Sequence, residues 1–198
     1  MQLRTTVAAL LFTLPALPQS GDRREIGRAA AEAYLTTAPP LEHPELAGWL
    51  NQIANRLAES APTPTQLSVT LTADSNPRNA VLAWPGGYVA LSARLIAAAA
   101  SEEQVATALA RAVVIAELRF SAAVQDGPIR IMWTGPVVPL GMKPVFERQN
   151  AEAELAAAAW IERADFAGKP SGGFLAARRQ AREAAPPPPT LRRQRPKR

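Results

Sequence analysis

The sequence has no cysteine and only one histidine, His43. Without cysteine there are no disulfides, thiolate nucleophiles or cysteine-ligated zinc, and no cysteine to carry a lipoprotein anchor. With one imidazole, histidine-rich metal sites are closed as well, and His43, lying just before a helical stretch, reads as a cap-region surface residue. Aromatic residues are sparse at 6%, against 47% apolar residues overall, much of it alanine. The predicted core is therefore one of helices packed closely through small side chains. The body of the chain carries no net basic charge. Arg192, Arg193, Arg195, Lys197 and Arg198 account for the whole net charge of +5, so no basic surface for specific nucleic-acid recognition is predicted.

What is present fits one domain between two atypical ends. A chain of 198 residues with 19 prolines is long enough for one core and short for two. Residues 1–20 have the parts of a secretory signal: Arg4, the apolar run Thr5–Leu17, and small residues near Ser20 and Gly21. That run is shorter than the roughly 20 residues a spanning helix needs. Export to the periplasm or medium is predicted, with no transmembrane segment in the mature chain. Residues 21–183 form the expected domain. Residues 184–198, four prolines followed by the five basic residues, read as a disordered tail able to touch anionic surfaces weakly.

Within the domain, helices are predicted over 22–35 and over Pro44–Ser60, the second burying Leu46, Trp49, Leu50, Ile53, Ala54 and Leu57. LSVTLTA alternates as a half-buried strand, DSNPRN is turn chemistry, and two short strands flank Pro85-Gly86-Gly87. A short helix over 92–100 leads into Ser101–Phe120, where Ser101 caps and Glu102 and Glu103 favour the first turn. This helix is apolar almost all round and so predicted buried, with Arg111 as its one interruption. Residues 121–144 read as a long loop. Phe146–Phe166 reads as a helix with Leu155, Ala159 and Trp160 inward, and 171–183 as a last short basic helix. The fold class predicted is α+β, mostly helical with a small sheet of about three strands.

Four segments in order, ELAGWLNQIANRLAES, LSVTLTADSNPRNAVLAWPGGYVALSARLIAAAASEEQVATALA, RQNAEAEL and FAGKPSGGFLAA, resemble the single-domain bacterial members of zinc metallopeptidase family forty-eight, the HtpX, BepA and LoiP type. The resemblance runs from Glu25 to Ala177. It implies a gluzincin-type peptidase domain in which one helix bears a His-Glu-x-x-His motif, two histidines binding zinc and the glutamate activating water.

This chain departs from the family at the chemistry. The first ligand position is Arg111, the base position Ala112, the second ligand position Ile115 and the third Ala151. A cation, a methyl group, a hydrocarbon and another methyl group cannot hold or use zinc, so no cofactor and no catalytic residue are predicted. Arg111 still requires an anion, and Glu152 or Glu154 is the predicted partner. By the same resemblance Pro85, Gly86, Gly87, Tyr88 and Val89 form an edge that could take an extended substrate by strand addition; a plain glycine turn between strands is the alternative. The resulting expectation is an exported pseudopeptidase that binds a polypeptide segment or partner protein in the remnant cleft. A divergent active zinc metalloendopeptidase and a structural domain tethered by its basic tail are the other two readings.

Overall fold

The structure, a computed structural model, describes residues 23–62, 65–126, 143–166 and 173–185. Residues 1–20, read from the sequence as a secretory signal, and the five basic residues of the tail lie outside the described residues. Pro44 opens α2 (Pro44–Ser60) at a position where its missing N–H costs nothing. His43 caps the helix, its Nδ1 accepting from Leu46 N at 3.4 Å. The six residues predicted as the inward stripe of α2 are the six that are buried. They meet α5 (Lys143–Ala164), α6 (Phe174–Ala184) and β1 (Ser68–Thr72).

Three strands form one sheet in the order β1-β3-β2, with β2 over Val81–Trp84 and β3 over Tyr88–Ser92. β3 runs parallel to β1 and antiparallel to β2, with Val69 opposite Val89 and Ala83 also opposite Val89. This register places Leu71, Val89 and Leu91 in the core, with Val69, Val81 and Ala83 packed partly against it. The other face carries Thr70, Tyr88, Trp84 and Ala90, and α1 (Arg23–Leu35) lies across it. Tyr34 meets Trp84 with ring centroids 5.4 Å apart.

The helix α3 (Ala93–Ala98) follows β3 directly and leads to α4 (Glu102–Asp126). α4 outruns the predicted Phe120 end because nothing in SAAVQD stops a helix until Gly127-Pro128. α5 likewise starts earlier than predicted, with Pro144 in its first turn. Its inward face also differs. Ala153, Ala157, Trp160, Ile161 and Ala164 are buried, whereas Leu155 is 75% exposed and Ala159 is exposed too. The face is set by Trp160, whose indole N–H donates to Leu57 C=O at 2.8 Å.

Arg56 joins three helices. Its guanidinium donates to the carbonyls of Ala164 (2.8 Å) and Asp165 (2.6 Å) at the end of α5, and lies 4.3 Å from the Phe166 ring centroid. It also reaches Glu102 at 3.8 Å, a carboxylate only 2% exposed in the first turn of α4. The architecture is α+β and mostly helical, and among the described residues no helix is long and apolar enough to cross a membrane.

Candidate functional site

The residues at the resembled metal positions lie where α4 faces both α5 and β2. Ser101 Oγ accepts from Gln104 N at 3.2 Å, fixing the start of α4. From there Val105, Leu109, Val113 and Ala116 turn into the core, while Ala108, Arg111, Ala112 and Ile115, one helical face on, are only half-buried. The expectation of a fully buried apolar helix is corrected here: one stripe of α4 stays half-buried.

Arg111 Nε lies 2.5 Å from Glu154 Oε1 on α5, and Glu152 instead pairs with Arg148 one turn before it, at 3.9 Å. The Arg111 N–H does not point along the contact, so the pair is held by charge more than by a directed hydrogen bond. Ala151 is exposed on α5. Among the described residues no three acidic or histidine side chains are grouped to hold a metal ion, and His43 is engaged at the start of α2. The residues at the resembled positions, Arg111, Ala112, Ile115 and Ala151, offer no donor atom that fits zinc.

Glu117, one helical turn past Val113, has a role the sequence did not signal. Its Oε1 accepts from Gly86 N at 2.8 Å, and its Oε2 pairs with Arg23 at 2.9 Å. The turn Pro85-Gly86-Gly87 is held on every side. Gly86 and Gly87 have φ of +79° and +83°, which other residues rarely adopt. A Cβ on Gly27 of α1 would sit 1.7 Å from Pro85 C=O, so α1 can lie against the turn only through a glycine.

The stretch Pro85–Val89 is therefore not an edge. Its turn is packed under α1, and Tyr88 and Val89 belong to the central strand, bonded to a neighbour on each side. The edge strands are β1, whose outer side takes Leu41 N on Leu71 C=O, and β2, which lies next to α4. Ser92 N donates to Ala80 C=O at 2.9 Å, so Leu82 and Trp84 turn their amides toward β3, and Val81 and Ala83 turn theirs outward. α4 runs alongside. Ala108 and Ala80 line one cleft, and Glu117 bonds Gly86 at the other end of the strand. Ala112 and Ile115 fall between those points along α4, both half-buried.

The cleft at the Ala80 end has a volume of ≈ 450 Å³. On one side it is bounded by the loop after β1, which Asp74 organises. Asp74 Oδ1 accepts from Asn76 N at 2.8 Å, and Oδ2 accepts from Tyr34 OH at 2.7 Å and Asn79 Nδ2 at 2.8 Å. Burial pushes the Asp74 carboxyl up, but those hydrogen bonds together outweigh it and hold it below the usual aspartate range. The Tyr34 hydroxyl is pushed well above its ordinary value, by burial first and then by its bond to Asp74.

The fold is an α+β domain with a cleft bounded by the loop after β1, α3 and the start of α4. No protein-family profile matches the chain, and no curated protein matches it significantly.

Proposed function

We propose that this chain is a non-catalytic, metallopeptidase-like domain that holds an extended polypeptide segment of a partner protein in the groove between β2 and α4. The observation that carries the reading is the outward-turned amides of Val81 and Ala83 on a sheet edge beside the half-buried face of α4. Such an edge binds an extended chain through backbone hydrogen bonds. On α4 the positions that the resemblance gives to a base and a ligand carry Ala112 and Ile115, with Arg111 paired to Glu154 beside them. Export is part of the proposal and is supported by the character of residues 1–20.

The test combines elemental analysis, casein cleavage with and without chelator, and amide exchange with unfolded casein. The expected result is a zinc-free protein that leaves casein intact and whose Val81 and Ala83 amides exchange more slowly in its presence. Stoichiometric zinc with chelator-sensitive cleavage overturns the non-catalytic reading. Unchanged exchange at both amides overturns the groove.

A further inference from the structure

The cleft at the Ala80 end of the groove has an unbalanced set of polar groups. Most of its side-chain acceptors are engaged. Asp74 receives three donors on its two carboxylate oxygens, and Ser75 C=O accepts from Arg94 Nη1 at 2.8 Å. Ser92 Oγ donates to Asp74 C=O at 2.6 Å and accepts from Arg94 N at 3.3 Å.

Its donors are not used up. Among the described residues, Arg94 spends only Nη1 of its guanidinium, leaving the other N–H groups of the fork. Gln104 uses its Oε1 to accept from Ala100 N at 2.8 Å, which fixes the amide so that Nε2 is the unused end. Asn76 likewise spends Oδ1 on Arg78 N at 3.1 Å, leaving Nδ2. The remaining wall is apolar and small, built largely from Ala80, Leu95, Ala98, Ala99 and Ala108.

We infer that this cleft binds a carboxylate borne on a short apolar residue, the C-terminal end of an extended polypeptide. A guanidinium fork with adjacent amide donors matches the geometry and charge of a carboxylate, and the alanine wall suits a short aliphatic side chain. The Asp74 charge in the same lining is turned onto its own three donors. The position of the cleft gives the direction. β2 runs away from Ala80, so a strand added antiparallel to it runs toward Ala80 and delivers its C-terminus to Arg94 and Gln104. The polypeptide form of the ligand rests on the groove proposed above; the carboxylate site itself does not.

The test uses the full chain and N-acetylalanine as the probe, with N-acetylalaninamide as its uncharged counterpart. Nitrogen-15 spectra follow the Arg94 Nε and Gln104 Nε2 signals. Saturable shifts are expected with the acid, and binding of the amide at least about tenfold weaker, the loss of a charge-assisted hydrogen bond. Gln104→Glu keeps the oxygen that Ala100 N needs and replaces the donor with a negative charge. It is expected to lose acid binding while its backbone spectrum and melting temperature are retained. Arg94→Lys is expected to bind more weakly than wild type but better than Arg94→Gln.

Equal binding of acid and amide, no shift with either, or a Gln104→Glu variant that binds like wild type each overturn the inference. Two pools of dodecapeptides randomised over the last four positions, one with free and one with amidated C-termini, separate the sources. Equal retention of both pools with slowed Val81 and Ala83 exchange removes this inference and leaves the groove. N-acetylalanine binding with neither pool retained supports the carboxylate site as one for a small free acid and removes the groove.

Discussion

Two Arg–Glu contacts in this molecule differ in a way that inverts the usual reading of distance. Arg111 and Glu154 approach to 2.5 Å but are 42% and 56% exposed, so water already solvates both charges. Arg56 and Glu102 are 3.8 Å apart, yet Glu102 is 2% exposed and Arg56 also holds two carbonyls and the Phe166 ring. A short exposed contact contributes little because solvent screens it. A longer one can be costly to break when it meets a charge that cannot reach water. The first pair lines a groove and the second joins three helices.

The sharpest way to break this contrast is Arg56→Ala, which should destabilise the fold by about 3 kcal/mol, since a buried carboxylate loses a countercharge and the end of α5 loses its donors. Urea unfolding measures it, and a loss below about 1 kcal/mol, the range of exposed pairs, would place Arg56 with Arg111. Next in size, Gly27→Ala should cost about 2 kcal/mol, because its new methyl runs into Pro85 C=O at 1.7 Å and pushes α1 off the turn. Thermal melts report it, and weaker near-ultraviolet signal from Tyr88 and Trp84 should accompany it.

Asp74→Asn should cost about 1–2 kcal/mol at neutral pH through its hydrogen bonds. Its pH signature is signed. A carboxyl held low in the fold stabilises fully above the ordinary aspartate value of about 3.9, and that contribution is lost as pH falls through the lowered value. Tyr34 acts at the other end: its raised hydroxyl stabilises fully below about pH 10, and the contribution fades as pH rises beyond it. Stability curves of Asp74→Asn should therefore be flatter in acid than those of wild type. The smallest effects belong to the exposed pair. Arg111→Ala and Glu154→Ala should each cost under about 1 kcal/mol, with a coupling of a few tenths in the double variant. A coupling above about 2 kcal/mol would make this contact a buried structural one.

Much of the fold was legible in the sequence, because local signals and burial agreed. Pro44, the spacing of Leu46, Trp49, Leu50, Ile53, Ala54 and Leu57, and the Asp74–Asn79 turn residues each specify their own element. α5 was legible as a helix but not as an oriented one. In AEAELAAAAW nearly every outward position is as apolar as an inward one, so Leu155 seemed a core residue until Trp160 found Leu57. At the candidate site the need of Arg111 for an anion could be read, but not which glutamate would meet it. Strand order could not be read either, since alternation says which face a strand buries and not which edge it shares. The bond from Glu117 to Gly86 spans 31 positions and left no local trace.

The sheet order has a consequence for how the chain assembles. β3 is last in sequence and central in space, parallel to β1 on one side and antiparallel to β2 on the other. During synthesis β1 has only the bridge from Pro40 and Leu41 until the residues through Ser92 have emerged. Its partner then arrives as a finished hairpin, because β2 and β3 are close in sequence and joined by the glycine turn. A change in the length of that turn would disturb strand pairing, the seat of α1 and the tie to α4 in a single event, so Pro85-Gly86-Gly87 is where this domain tolerates insertion least.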